Sequence, residues 1–430
     1  MKQKPARGGP KGGPPPHGTV LTLAEEMKPL LLVMRLINIM PLHFTADGGA
    51  YFSWRSSMML LSAAGWALAF VDVVYETVFR IDVFVSSLSH FSEAVFNMFF
   101  FLLLHHHYFT PVLHWPAAPR FADYLSDWAH FQARFLAETG RPLRLAVRSL
   151  ATHKASACLG VPCVLAVPLS LGIPTSNWHN VPLGLLAAAF HASVPAFWDV
   201  LGTAAVNASD QLTACFKEVG GEAAPHLGGA QGPLQGPLSQ EVAVSGGEPP
   251  AARVRAYREL WLELRRLAED APAAWGICTL HYMLCCISAV LLNGFGLLAA
   301  ATNGGEADMF LTCAMFLIMV DSLWHTAVVC ASGQQMAAAV DSGTRDVLLK
   351  MRMSTSTTAT LLLQREVISF LNVMKKPLTI SLYGFIALKL TLVVTIVETL
   401  ATYLCVLLQF TINFQRPSRG SALEAALPPD

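Results

Sequence analysis

Seven stretches of this chain are each long and apolar enough to cross a lipid bilayer as a helix. A helix that spans the hydrocarbon core needs about 20 predominantly apolar residues. The third stretch is the weakest, because Pro162, Pro168 and Pro174 interrupt it. We therefore expect an all-α membrane protein with seven transmembrane helices. The stretches are residues 57–79, 84–104, 156–175, 181–206, 274–301, 308–331 and 386–410.

The composition agrees with a membrane environment. Hydrophobic residues make up 53% of the chain and charged residues 13%. That charged share is about half of the share in a typical soluble domain. The formal net charge is zero, which gives no reason to expect a nucleic-acid partner. The lipid bilayer is the expected surroundings of this chain.

The positions of lysine and arginine predict the orientation. Cytoplasmic loops of membrane proteins carry an excess of these residues. With the N-terminus in the cytosol, 25 of the 29 lie on the cytosolic side. Seven spans then place the C-terminus outside the cell, which is the reverse of a G-protein-coupled receptor.

These features divide the chain into five parts. Residues 219–252 are rich in Gly, Pro, Gln and Ser, and we expect a disordered loop there. The five parts are a disordered cytosolic N-terminus (1–26), a six-helix membrane bundle with cytosolic helical extensions (27–331), a cytosolic helical segment (332–385), the seventh helix (386–410) and an extracellular tail (411–430).

The seventh span carries the sequence TYLCVLLQF from Thr402 to Phe410. It closely resembles the Thr-Tyr, five hydrophobic residues, Gln-Phe motif of the last helix of insect gustatory receptors. The preceding YGFIALKL, Tyr383 to Leu390, is similar to a Gly-Phe-x-x-Leu-Asn stretch of the same family, with Lys389 in place of the usual Asn. The chain is identified as a member of that family on these residues.

Two further stretches resemble one subgroup, the carbon dioxide receptors. They are PLLLVMRLINIMPLHFTADGGAYFSWRSS (29–57) and YRELWLELRRLAEDAPAAW (257–275). Sugar receptors share a similar Phe-x-Trp-x-Ser element. Carbon dioxide, sugars and bitter compounds therefore all stay open as ligands.

The resemblance implies the fold of the insect chemoreceptor channels and a function. Members of the family form ligand-gated, non-selective cation channels in the plasma membrane of sensory neurons. Four subunits, identical or different gustatory receptors, surround a pore lined by the last helices, and the cytosolic helices anchor the subunits to one another. The implied partners are a small-molecule ligand, cations and other receptor subunits.

Six polar residues lie along one side of the seventh span, because they are spaced three or four apart. Such a stripe either packs against another helix or lines water, and the resemblance favours the second. Four copies of a mid-span carboxylate, Glu398, would form an acidic ring that favours cations. A protonated or paired Glu398 is the alternative. The candidate pore-lining residues are Thr391, Thr395, Glu398, Thr402, Cys405 and Gln409.

Several polar residues in the outer halves of other spans are candidates for a ligand cavity. Carboxylates within a span are costly unless paired or hydrated. They could instead satisfy one another across helices. His191 lies at a comparable depth, and Asp321 and His325 share a face of the sixth span. The candidate ligand-binding residues are Asp72, Glu76, His90, Glu93, Trp178 and Asn293.

No cofactor, metal or enzyme activity is expected from the sequence. The consecutive residues His105, His106 and His107 point about 100° apart on a helix and cannot converge on one ion. The chain contains no zinc-ligand spacing, Walker loop, nucleophile elbow or HExxH motif. The competing functions are a G-protein-coupled receptor, which the charge distribution opposes, and a secondary transporter, which should show paired broken helices.

Overall fold

The computed structural model of this chain is built mainly of α-helices. It describes residues 21–45, 49–87, 98, 101, 109–172, 180–223, 249–302, 309–354 and 361–424. The helices of these residues are α1 (Leu23–Leu36), α2 (Ser57–Ser87), α3 (Ala118–Thr139), α4 (Arg148–Gly172), α5 (Asn180–Ala223), α6 (Pro250–Thr302), α7 (Met309–Ala338), α8 (Thr344–Ser354), α9 (Leu361–Val373) and α10 (Leu390–Glu424). The strands β1 (His43–Phe44) and β2 (Ala50–Tyr51) form one antiparallel hairpin, and β3 (Ser381–Leu382) and β4 (Ile386–Ala387) form another.

The core lies among helices α3 to α7. Helix α4 packs along α5, α5 and α6 pack along α7, and α3 packs against α6. Four tryptophans are fully buried there, namely Trp128, Trp198, Trp261 and Trp275. Each large aromatic side chain removes about 150–250 Å² from solvent. The bundle therefore has a packed aromatic centre of its own, apart from any contribution of lipid.

Four helices of the described residues are long and apolar enough to cross a membrane: Ser57–Val78, Gly184–Gly221, Pro250–Leu298 and Thr312–Met353. The apolar stretch Leu390–Val406 is shorter. The predicted span at 84–104 lies mostly outside the described residues. The third predicted span forms an unbroken helix as far as Gly172 despite two of its prolines, as neighbouring helices in membrane bundles allow.

Helix α6 is much longer than a membrane crossing requires. Its 53 residues rise about 80 Å, more than twice the thickness of a bilayer core. The charged first half contacts α9, where Arg255 and Arg258 pair with Glu366 at 2.8 and 3.1 Å. The indole Nε1 of Trp261 donates to the carbonyl of Val340 at 2.7 Å, in the π-helical turn Ala339–Gly343 that follows α7. These contacts join the polar end of the bundle into one unit.

Three helix ends in the structure differ from the predicted boundaries. Helix α1 begins at Leu23, inside the N-terminal part predicted to be disordered, because Thr22 and Glu25 form a capping box. Helix α5 continues to Ala223, which lies inside the predicted loop at 219–252. Helix α10 continues to Glu424, beyond the predicted end of the seventh span.

A hairpin replaces the predicted start of the seventh helix at 386. Tyr383 and Gly384 have φ values of 51° and 75°, and the N–H of Phe385 donates to the carbonyl of Leu382 at 3.0 Å. Two central residues with positive φ are typical of a type I′ turn, which suits a tight hairpin and favours glycine. The residues of YGFIALKL therefore form a turn and a strand, and the helix begins at Leu390.

The buried carboxylate of Glu26 connects α1 to α4. The backbone N–H groups of Ala146, Val147 and Arg148 donate to its two oxygens. These groups lie at the start of α4, where helical N–H groups have no partner within the helix. A side chain that is distant in sequence therefore caps α4, and its negative charge suits the positive end of the helix.

His114 is fully buried next to Phe190 and Trp275. Its Nδ1 lies 2.7 Å from the carbonyl of Thr110, to which it can donate. Burial lowers the pKa of His114 to about 3; the bond to Thr110 opposes the shift and His281 adds to it. The imidazole is therefore neutral in the folded protein at neutral pH.

We expect the stability of the protein to fall as the pH drops below about 6.5, the ordinary pKa of histidine. Below that pH the unfolded chain binds a proton at His114, whereas the folded chain excludes this proton until about pH 3. The expected contribution is about 1.4 kcal/mol per pH unit in this window. His114→Asn, which keeps an amide donor, should flatten the dependence. Melting temperatures in detergent between pH 8 and pH 5 measure it. His130→Asn, at an exposed histidine on α3, is the matched control and should leave the dependence unchanged.

Candidate functional site

One face of α10 is packed against the bundle. Leu400 is 7% exposed and lies beside Gly294 of α6, as does Leu404. A Cβ atom at Gly294 would lie 3.4 Å from Cδ1 of Leu404, which is ordinary van der Waals contact. The apolar face of α10 therefore points towards α6 and α7.

The polar stripe predicted on this helix lies on the opposite side. Thr391 and Gln409 are each nine residues from Leu400, which at about 100° per residue is half a turn away. The side chains of all six stripe residues are exposed in the single chain. Among the described residues, the stripe therefore faces away from the bundle.

Two stripe hydroxyls bond within their own helix. Thr395 donates to the carbonyl of Thr391 at 3.0 Å, and Thr402 donates to the carbonyl of Glu398 at 2.9 Å. Threonine in helices commonly bonds the carbonyl four residues earlier. The hydroxyl oxygens are left facing outwards from the helix, where they can accept hydrogen bonds from water.

The start of α10 is held by α7 through two residues that sequence reasoning missed. The side-chain oxygen of Gln334 accepts a hydrogen bond from the N–H of Leu390 at 3.1 Å. One residue earlier, Gly333 lies so close to Leu388 that a Cβ atom there would be 2.6 Å from the Cβ of Leu388. The only sequence signal was a glycine followed by glutamines at the end of an apolar run. Their function becomes visible only when the hairpin is placed on α7.

The structure describes three of the six predicted ligand-binding residues. Glu76 is fully buried on α2, and Asp72, one turn earlier, is half-buried. Asn293 is buried on α6, and its amide donates to the carbonyl of Ala289 at 2.7 Å. The other three, His90, Glu93 and Trp178, lie outside the described residues. The ligand cavity stays a prediction.

An open cleft lies between the turn after α1, α2 and α5. None of the three described ligand candidates lines it. Trp66 and Phe190 form part of its walls, which are mainly apolar. The remaining lining residues are Ile37, Asn38, Ile39, Gly65, Ala69, Val73, Thr110, Pro111 and Leu186.

Three other polar residues noted in the sequence come together between helices. His191 of α5 faces Asp321 and His325, which share one face of α7 as the spacing predicted. The consecutive histidines 105–107 lie outside the described residues.

Comparison with known proteins places the chain in a family. A family model described as the 7tm chemosensory receptor matches residues 27–414. The chain belongs to the chemosensory receptor family. The family predicted from the TYLCVLLQF motif is thereby confirmed, and the match covers both the membrane helices and the helices that follow α7.

Two curated insect receptors match over most of the chain. Gustatory and odorant receptor 22 of Anopheles gambiae is 24% identical over 407 residues, which cover 93% of this chain and 81% of that protein. Gustatory and odorant receptor 21a of Drosophila melanogaster is 24% identical over 398 residues, covering 91% and 81%. The similarity therefore extends well beyond the last helix.

Two solved structures of an insect olfactory receptor support the fold. The insect olfactory receptor OR5 from Machilis hrabei, in complex with eugenol, matches with a TM-score of 0.59 at 11% identity, over 90% of this chain and 98% of that chain. A second structure of the same receptor, for which no ligand is named, matches with a TM-score of 0.52 at 12% identity. At this level of identity the comparison shows a shared helical architecture.

Proposed function

We propose that this chain is a subunit of a ligand-gated, non-selective cation channel that detects a small molecule at the plasma membrane of sensory neurons. The observation that carries the proposal is the orientation of α10, whose polar stripe faces away from its own bundle. Four such subunits around an axis can bring their stripes together along a water-filled pore. Helices α8 and α9 then belong to the cytosolic anchor between the subunits.

The pore requires seven membrane crossings, with the N-terminus in the cytosol and the C-terminus outside. Epitope tags at the two termini, stained with and without permeabilisation, test this arrangement. We expect the C-terminal tag to stain on intact cells and the N-terminal tag only after permeabilisation. An external N-terminus would contradict the channel and favour a G-protein-coupled receptor.

Whole-cell recording of cells that express the chain tests conduction directly. A ligand-gated channel gives currents that begin with the ligand and reverse near 0 mV in mixed cation solutions, since it does not select strongly among cations. A secondary transporter gives small currents that depend on the gradient of the coupled substrate. The recording should be made with the chain alone and with candidate partner subunits.

Replacing Glu398 with glutamine is expected to change the relative permeability of the channel to cations by about two-fold or more, because an acidic ring near the pore attracts cations. Reversal potentials in solutions of different cations measure the effect. Glu398→Asp keeps the charge and is the matched control. Unchanged permeability in a glutamine variant that reaches the cell surface normally would contradict the pore-lining role.

The relatives named gustatory and odorant receptors support a small chemical stimulus as the ligand. Among carbon dioxide, sugars and bitter compounds we favour carbon dioxide, because residues 29–57 and 257–275 resemble the carbon dioxide receptors. A hetero-oligomer with a second receptor subunit would follow. A panel of these ligands, applied to cells with and without co-expressed partners, distinguishes them. The predicted cavity residues Asp72, Glu76 and Asn293 are the first positions to vary once a ligand is found.

A further inference from the structure

A cluster of two histidines and one carboxylate lies between α5 and α7, separate from the stripe on α10. Asp321 and His325 are four residues apart, so they lie on one face of α7. Helix α5 packs along that helix and presents His191 to the same point. Nε2 of His191 lies 3.7 Å from Oδ2 of Asp321, and Nδ1 of His325 lies 3.4 Å from the same oxygen.

These separations suit ligands of one metal ion better than hydrogen bonds. A nitrogen-to-oxygen hydrogen bond usually measures about 2.7–3.2 Å. Two ligand atoms placed about 2.0–2.1 Å from a tetrahedral zinc ion lie about 3.3–3.4 Å from each other. One candidate ligand atom from each of the three residues lies within 4.8 Å of the other two. The three atoms therefore surround a space in which one ion can contact all of them.

A second observation concerns His325. Its Nδ1 atom, which faces Asp321, is buried and makes no hydrogen bond among the described residues. Buried polar nitrogens normally have a partner. A metal ion at the centre of the cluster would supply that partner.

The charges around the cluster also favour a cation. Lys154 on α4 pairs with Asp199 of α5 at 2.7 Å, so its charge is already matched by another carboxylate. The carboxylate of Asp321 instead faces two imidazoles. A carboxylate within a membrane-crossing helix is costly unless it has a positive partner or water, and a bound cation would balance its charge.

We propose that His191, Asp321 and His325 bind a divalent transition-metal ion, for which Zn²⁺ is the best match. Imidazole ligands suit zinc and its neighbours in the periodic table, whereas Mg²⁺ and Ca²⁺ prefer oxygen ligands. Three protein ligands leave a fourth position for water. The side chain of Asp321 is 47% exposed in the single chain, so the bundle does not fully enclose this ligand.

The sequence showed no zinc spacing because the ligands come from two helices that are far apart in the chain. Only the Asp-x-x-x-His pair on α7 is local, and such a pair needs a third ligand from elsewhere. A bound ion would connect α5 to α7, and α7 in turn holds the start of α10 through Gln334. Zinc binding can be measured in the isolated protein without any channel activity. A failed test of the zinc site and a failed test of the channel function can therefore be told apart.

Zinc binding to the full-length protein, purified in detergent and treated with a chelator, tests the proposal. After incubation with Zn²⁺ alone and removal of free ion, we expect about one zinc per chain by elemental analysis and a higher melting temperature. His191→Ala, His325→Ala and Asp321→Asn should each weaken zinc binding at least ten-fold, because loss of an outer-shell partner alone typically costs about 10–100-fold and loss of a ligand should cost no less. His153→Ala, at an exposed histidine on α4, is the matched control and should bind as the unaltered protein does.

If an alanine variant does not fold, zinc binding by the Asp321→Asn variant is the deciding measurement, because asparagine keeps the size of the side chain and removes only the charge. X-ray absorption of the zinc-loaded protein provides a second measurement, with nitrogen and oxygen ligands at about 2.0–2.1 Å and scattering from two imidazoles. Absence of bound zinc in the unaltered protein would overturn the proposal. Equal binding by the folded variants and by the control would overturn it as well.

Discussion

Replacing Gly333 with alanine is expected to lower the melting temperature of the full-length protein by several degrees and to reduce its delivery to the cell surface. The added Cβ atom would lie 2.6 Å from the Cβ of Leu388 and 3.3 Å from its carbonyl oxygen. Both contacts are closer than ordinary van der Waals separation, and neither atom is at the end of a flexible side chain. The end of the β3–β4 hairpin must therefore move away from α7, at a cost of about 1–3 kcal/mol.

This displacement would also reach α10, because the helix begins directly after the hairpin and Gln334 holds its first N–H. In a protein that conducts, Gly333→Ala should therefore alter gating as well as stability. Gly160→Ala is the matched control, since a Cβ atom at that position of α4 meets nothing within 4 Å and alanine favours a helix over glycine by about 1 kcal/mol. A Gly333→Ala protein as stable as the Gly160→Ala protein would show that α7 and the hairpin are not in close contact.

Replacing Glu26 with alanine is expected to destabilise the bundle by about 3 kcal/mol or more, because three backbone N–H groups lose a charged acceptor in a buried place. Those groups belong to Ala146, Val147 and Arg148 at the start of α4. The measurement is thermal unfolding of the full-length protein in detergent, followed by size-exclusion chromatography. We expect aggregation at a clearly lower temperature than for the unaltered protein.

Glu25→Ala is the matched control for this change. It removes the neighbouring carboxylate, whose bond to the N–H of Thr22 at 2.8 Å only caps α1, and the expected cost is about 1 kcal/mol. Glu26→Gln should be intermediate, since it keeps one acceptor oxygen and loses the charge. Equal melting temperatures for Glu25→Ala and Glu26→Ala would contradict a special contribution of Glu26 to the start of α4.

The apolar stretches and the motif on the last span made the family predictable. The length of an apolar stretch can be read from the local sequence, and a long apolar segment crosses a bilayer in few structures, mainly as a helix. The helical spacing of Thr391, Glu398 and Gln409 likewise follows from the sequence, because helix geometry fixes which residues share a side. The identification through residues 402–410 was therefore possible before any tertiary contact was known.

The starts of the helices were less predictable, because they depend on turns and on capping groups rather than on hydropathy. The run that begins at 386 is apolar enough to continue the seventh span, but Tyr383 and Gly384 adopt positive φ values and turn the chain back as a hairpin. The capping of α4 depends on Glu26, more than a hundred residues away. Hydropathy does not register such turns or distant caps.

The sequence by itself determined that this chain crosses a membrane as helices, that it belongs to the chemosensory receptors and that one side of its last helix is polar. Only the tertiary structure decided which way that side faces. Leu400 and Leu404 pack against Gly294 on another helix, and this contact turns the polar stripe outwards. The same holds for His191, Asp321 and His325. Their residue types were visible in the sequence, but their convergence depends on how α5 packs along α7, and that packing is set by side chains distributed over the whole bundle.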